Sequence, residues 1–448
     1  MLRRLFALFV FSVVAGVVVF GSDLGLLLFG RCDDVAWGAS HAQSAPPAAA
    51  HSLPAPPPAQ LGRHSARVLE SRRIVPSDGL PSTVDVKRSN NNLDVTRFQG
   101  RTYLAFRSAD SHFAGDTTVI HVVSSTDERS WRPEARFALG RDLREPRWLS
   151  LDGRLFLYVT MLGSSSYAFE PERVDVTELS TPGRAVPATS PEPMDSPPSG
   201  NFGPLEHAGL PGRVAWRTRV IDGRGYMTAY RGGENLYSFG REPMSVELYA
   251  TADGRHWAPA DPAHPVVSHG GGSEADFALL PGGSLFGVIR NEEGDEGGWG
   301  SKLCQATSTA LGAWVCRSDP RKFDSPNVFV HDGEVYFFAR RNLANDGRYD
   351  LGIGRGLLRT IRNQLAYITQ AKRCSLWRYD RTTGSVGFVL DLPSRGDTCF
   401  ASVLPGDAPD QLVVYDYSSD IAGPELPWTA GQRRPTFIYR HVVELAPR

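Results

Sequence analysis

The chain has 448 residues, a formal net charge of −1 and 41% hydrophobic residues. That is ample for a large core, and the near-neutral balance argues against nucleic acid, whose recognition needs a basic patch or stripe. Gly (45) and Pro (33) are abundant and Met (5) is scarce, which suits many tight turns between short strands.

Arg3 and Arg4 precede an apolar run from Leu5 to about Phe20, the pattern of an export signal. A second apolar stretch, Leu24 to Phe29, follows Gly21-Ser22-Asp23; acting together the two reach the roughly 20 residues that a bilayer anchor needs. Cleavage after Ala42, with Ser40 at the −3 position, is the other reading. Arg31 immediately before Cys32 speaks against a lipid anchor. Residues 1–42 are therefore a signal peptide or a membrane anchor, and residues 43–62 a Pro/Ala-rich linker. The protein is expected outside the cytoplasm: secreted, periplasmic, or tethered to the outer face of a membrane.

From residue 63 onward one plan recurs: an alternating strand, a turn with Gly or Asp, then a second strand rich in aromatic and β-branched residues. The segments are LDVTRFQGRTYLAFR, EPRWLSLDGRLFLYVT, VAWRTRVIDGRGYMTAYR, EADFALLPGGSLFGVIR, SPNVFVHDGEVYFFARR and FASVLPGDAPDQLVVYDYS, spaced by about 50 to 75 residues. One all-β unit repeated along a whole chain predicts a six-bladed β-propeller of four-stranded antiparallel blades, with a five-bladed glycosidase propeller as the alternative. Leu357, Leu358, Ile361, Leu365 and Ile368 recur at helical spacing and predict one helix near residues 354–370, inserted between the second and third strands of blade five.

In an antiparallel blade the first strand starts, and the second ends, on one face. Strand-one starts supply Asp94, Glu145, Glu274 and Asp324; strand-two ends supply Arg107, Arg231, Arg290 and Arg340-Arg341. Acids and arginines thus ring one end of the channel. Asp94 with Arg107, Glu274 with Arg290 and Asp324 with Arg340 come from single hairpins, so simple ion pairing competes with a functional role for each. Beyond the leader four cysteines remain, an even number in an export context, which favours disulfides over metal. Cys304 with Cys316 and Cys374 with Cys399 is the preferred of three pairings. No spacing reads as a metal site, and no cofactor is called for.

Ser125-Thr-Asp127-Glu-Arg-Ser-Trp131 and Thr251-Ala-Asp253-Gly-Arg-His-Trp257 resemble the Asp-box of sialidases, shortened by one residue, and Ser308 to Trp314 is a worn copy. From about Leu93 onward the order of features is similar to the exo-α-sialidase family. The resemblance implies an acid/base Asp after strand two of blade one, for which Asp110 is the candidate and Asp116 the next. It implies that Ser273-Glu274 and Ile289-Arg290-Asn291 match the family's base and an arginine that holds the sugar's carboxylate, with Arg340 or Arg341 as a further arginine. Two features depart from the family. Asn90-Asn91-Asn92 stands where an Arg-Ile-Pro motif is expected, and Asp397-Thr398-Cys399-Phe400 where the nucleophilic Tyr should be; Tyr417, on the same face, is the substitute.

The expected function is a glycoside hydrolase acting on an acidic or polar glycan. Asp110 protonates the leaving oxygen, a role needing a raised pKa. Glu274 is base or charge partner, and Arg107, Arg290 and Arg340 orient a carboxylate. Without the family's Tyr, a two-carboxylate scheme pairs Glu274 with Asp94, Asp110 or Glu145. His112 and Asp397 complete the candidate contacts to substrate. The rival is a non-catalytic glycan-binding or envelope scaffold propeller, favoured if Asp110 and Glu274 are locked in ion pairs with no open cleft between them.

Overall fold

The computed structural model describes residues 62–163, 171–180, 201–232, 244–292, 294–295, 297–350 and 356–448. The expected leader and nearly all of the linker lie outside them. Among the described residues no helix is long and apolar enough to cross a membrane.

Six antiparallel sheets follow one another along the chain, as the repeat predicts. Blade six borrows its outermost strand, β1 (His64–Val75), from the chain's beginning. Blade one is β2 (Ser89–Phe98), β3 (Arg101–Ala109), β4 (Val119–Ser125) and β5 (Arg132–Phe137). Blade two is β6 (Asp142–Leu151), β7 (Arg154–Leu162), β8 (Pro171–Glu178) and β9 (Glu206–His207). Blade three is β10 (Val214–Ile221), β11 (Arg224–Arg231), β12 (Ser245–Thr251) and β13 (Ala258–Pro259), with β14 (Val266–His269) as an extra strand on β12. Blade four is β15 (Gly272–Leu279), β16 (Leu285–Asn291), β17 (Lys302–Ala306) and β18 (Val315–Ser318). Blade five is β19 (Asp324–His331), β20 (Glu334–Asn342), β21 (Lys372–Tyr379) and β22 (Val386–Asp391). β23 (Ser402–Pro405), β24 (Gln411–Ser418) and β25 (Phe437–Pro447) complete blade six, and β25 pairs with β1 to close the ring.

Local chemistry sets the inner hairpins. Gln99-Gly100, Asp152-Gly153, Asp222-Gly223 and Asp332-Gly333 each place two successive residues at positive φ, between 44° and 74°. That is the turn whose twist matches two right-twisted strands, and Gly supplies its second position without a Cβ penalty. The Ser/Thr-x-Asp turns cap themselves on the same end of the blades. Asp127 Oδ1 accepts the Arg129 and Ser130 amides at 2.8 Å and the Ser125 hydroxyl at 2.8 Å; Asp253 repeats the pattern with Arg255, His256 and Thr251. Trp131 and Trp257 pack edge-on to Tyr415 and Tyr158 from neighbouring blades.

The opposite end is shaped by β-bulges. Pairing of the first two strands slips between Asn91 and Leu93, Arg144 and Arg147, Ala215 and Arg217, Gly272 and Ala275, and Asp324 and Asn327. Five blades thus carry a bulge at one level, with Asn92, Glu145 and Ser325 at φ of 41°, 52° and 51°. Bulges of this kind re-aim side chains and recur beside active sites. Here they fall where the sequence placed strand-one acids.

The inserted helix, α1 (Gly356–Thr369), lies between β20 and β21 as expected. Its buried side differs from the apolar stripe: Leu358 is exposed, whereas Asn363 and Tyr367 are buried. A short helix, α2 (Trp428–Gln432), packs against it. Both predicted disulfides are present: Cys304–Cys316 joins β17 to β18, and Cys374–Cys399 staples blade five to the start of blade six.

Candidate active site

The bulged strand-one starts bring buried acids and arginines together in two groups at this end of the ring, the candidate cleft. On blades four and five, Arg290 is held by three carboxylates: Glu274 at 2.5 Å, Glu292 at 3.1 Å and Asp324 at 3.5 Å. The other oxygen of Glu274 accepts the Ser325 amide at 2.6 Å and its hydroxyl at 3.1 Å. Glu274 and Arg290 therefore pair within one hairpin, one of the two readings that the sequence left open. Asp324 serves a wider circle, with Lys322 and Arg340 3.8 and 3.9 Å away and the Tyr367 hydroxyl donating to it. Those cations hold its carboxyl below the usual range despite full burial. Lys322 donates to Asn291 O at 2.7 Å and lies over the rings of Tyr349 and Tyr367; burial pushes its pKa down to about 8.

Arg340 is the hub on the side of blades five and six. It donates to the Thr398 carbonyl, to Cys399 O at 3.3 Å, to the Tyr367 hydroxyl at 3.2 Å and to the Tyr417 hydroxyl at 3.4 Å. The Trp428 ring lies over its guanidinium at 5.1 Å. Asp397, fully buried, accepts from Tyr417 Oη and Trp428 Nε1, both at 3.1 Å, and meets His112 Nδ1 at 2.7 Å. Burial lowers the pKa of His112, and raises that of Tyr417 well above the phenol range.

Glu145 stands at the bulge of blade two. Asn92 Nδ2 donates to one oxygen at 2.8 Å and Arg147 Nη2 to the other at 3.3 Å. Burial, reinforced by the charge of Glu274, raises its pKa to about 7.

Several expected contacts fall elsewhere. Arg107 does not meet Asp94. It is fully buried and binds Asp142 of the next blade at 2.9 Å, Asn91 Oδ1 at 3.2 Å and two loop carbonyls. Asp142 also takes Arg144, so this carboxylate and both arginines brace blades one and two. Asp94 lines the axial channel, accepting the Val95 and Trp148 amides at 3.0 and 2.9 Å and the Ser402 hydroxyl at 2.7 Å. Asp110 sits on the rim with its side chain 71% exposed, bound to Thr117 at 2.6 Å and Lys87 at 3.3 Å. Those partners lower its pKa, the reverse of the shift expected for the proton donor. Arg341 points away from Arg340, onto Asp391 and Ser375, because successive strand residues face opposite sides. Arg231 likewise binds Glu247 at 3.3 Å.

Sequence reasoning did not single out Tyr367, Trp428 or Lys322, and it named Asn92 only as part of a departure from the family's motif. Only Tyr367 left a signal: it lies four residues after Asn363 on a helix, and an aromatic phenol at that spacing shares a face with its neighbour.

No protein-family model matches the chain, and no curated protein matches it. Solved structures do. A protein of unknown function from Dyadobacter fermentans is 12% identical over 85% of this chain and 100% of its own, with a TM-score of 0.56. Trypanosoma rangeli sialidase in complex with sialic acid is 13% identical, with a TM-score of 0.53, over 85% of this chain and 57% of that one. The phage phi92 endosialidase is 11% identical over 86% of this chain and 70% of its own, with a TM-score of 0.52. The likeness is one of fold: a sialidase-like six-bladed propeller, spanning little more than half of the trypanosomal enzyme.

Proposed function

We propose that the protein is an exported glycoside hydrolase acting on an acidic or otherwise polar glycan. One observation carries this reading: two carboxylates at equivalent bulges of blades two and four have contrasting surroundings. Glu145 keeps its proton to about pH 7, with the Arg147 guanidinium no nearer than 3.3 Å, whereas Glu274 is bound to the Arg290 guanidinium at 2.5 Å and to two donors of Ser325. Acid and base assignments in such sites follow from environments that differ in this way. Glu145 donates its proton to the glycosidic oxygen as the bond breaks, and Glu274 either takes a proton from the water that attacks the sugar carbon or attacks that carbon itself, water then cleaving the glycosyl ester. Of the other candidates, Asp110 is too exposed and Asp94 lines the axial channel instead. Arg340, with Tyr367 and Trp428 beside it, offers a cation and aromatic faces to a polar sugar. Two disulfides and the sialidase-like neighbours are compatible with an extracellular setting.

A second reading is a glycan-binding scaffold without chemistry. It is favoured by the engagement of both Glu274 oxygens and by the Asp110–Lys87 pair. Turnover of any glycoside by the wild-type chain, lost in Glu145→Gln, supports the hydrolase; glycan binding with no turnover supports the scaffold.

A further inference from the structure

Beneath the cleft floor the propeller axis holds a second space. Arg217 reaches across the axis from blade three, Nε donating to Pro326 O of blade five at 3.2 Å and Nη2 to Ala401 O of blade six at 2.9 Å. Its guanidinium lies 5.4 Å from the Phe400 ring centre and 5.8 Å from that of Trp216. It is 4% exposed and forms no ion pair with any described residue. Toward the hairpin-turn end lies a cavity of about 280 Å³, lined by first-strand residues of five blades and including Arg217 itself.

The other charges on its wall are committed. Arg219 binds both oxygens of Asp276 and the Val328 carbonyl. Asp94 accepts two amides and a hydroxyl. By contrast, Thr96, Ser150 and Asn327 line the cavity and their side chains hydrogen-bond no described residue, so their O–H and N–H groups are uncommitted. A buried arginine is almost always paired or in use. Burial and the nearby Arg147 depress the Arg217 pKa, so its charge is penalised as it stands.

We propose that this cavity is an anion site, distinct from the cleft, that takes a small oxyanion such as sulfate or a carboxylate. Arg217 supplies the charge, and Thr96, Ser150 and Asn327 supply further donors. The two carbonyls take Nε and one Nη2 hydrogen, which leaves Nη1 and the second Nη2 hydrogen for an oxyanion, and the volume exceeds what a halide fills. The bound anion would neutralise the cation that ties blades three, five and six.

Calorimetric titration of the full chain with sodium sulfate, and separately with sodium acetate and sodium chloride at matched ionic strength, tests this. The expected result is saturable one-site binding of an oxyanion, weakened about tenfold or more by loss of a charged hydrogen bond in Arg217→Met. Ser150→Leu, which fills the cavity and leaves every cation in place, should weaken it as much and carries the test where Arg217→Met does not fold. Glu274→Gln should leave it intact. Heats that never saturate would overturn the proposal. So would binding of chloride alone, or binding that survives Ser150→Leu and is lost in Arg340→Met.

Discussion

At the scale of single residues, Glu145 makes the sharpest claim. Its carboxyl titrates near pH 7 in the fold and near 4.5 in the unfolded chain. Between those values the unfolded state ionises first, so stability falls as pH rises from about 4.5 to about 7, by about 3 kcal/mol, and is flat above. Asp416, raised from 3.8 to about 7 by burial, adds a fall of the same sign beginning near pH 4. Urea unfolding of Glu145→Gln at pH 5 and pH 8 should show a smaller loss between the two than wild type. An unchanged difference would mean that Glu145 is ionised at pH 5. Activity should decline above about pH 7 as Glu145 loses the proton it must donate, and Glu145→Gln should cost about 10²–10⁴-fold in kcat. Tyr367→Phe removes the hydroxyl shared by Asp324 and Arg340; it should impair glycan binding or turnover while far-ultraviolet circular dichroism stays unchanged.

At the scale of elements, strands and turns were legible because their signals are local. Period-two alternation and Asp-Gly or Gln-Gly turns define the inner hairpins, and Ser125, Asp127 and Trp131 define an outer turn. Trp131 is 4% exposed within the largest core cluster, so Trp131→Ala should cost about 3–5 kcal/mol in denaturant unfolding. Charged partners were less legible. Glu274 with Arg290 lies within one hairpin and was readable. Arg107 with Asp142 crosses blades, and no local pattern tells which blade's acid an arginine meets once the ring closes. The bulges hid the rest: a one-residue slip at Asn92, Glu145 or Ser325 turns side chains into the cleft, and neither composition nor period announces it. On α1 the apolar stripe predicted the helix but not its buried side, where Tyr367 donates to Asp324 and Asn363 to the Arg359 carbonyl.

At the scale of the whole molecule, closure matters most. The register of β1 runs along β25 from His64 opposite Pro447 to Val75 opposite Ile438. A chain beginning after Val75 leaves β25 as an open edge, and should fail to unfold as one cooperative transition in calorimetry. Reduction of Cys374–Cys399, which closes a 25-residue separation across two blades, should lower stability by about 3 kcal/mol on the chain-entropy estimate. The ring brings Glu145, Glu274, Arg290 and Arg340 from three blades to one floor, and that convergence is what the sequence-order argument about strand starts and ends anticipated.

The most direct measurement is release of 4-methylumbelliferone from a panel of glycosides, the sialoside included, by the purified chain beside Glu145→Gln, Glu274→Gln and Asp110→Asn. The account predicts turnover of at least one acidic or polar glycoside, abolished in Glu145→Gln and Glu274→Gln and retained in Asp110→Asn. Turnover lost only in Asp110→Asn would contradict the assignment of Glu145 as proton donor. Silence across the panel, from protein that still binds glycan, would contradict the hydrolase and leave the binding propeller.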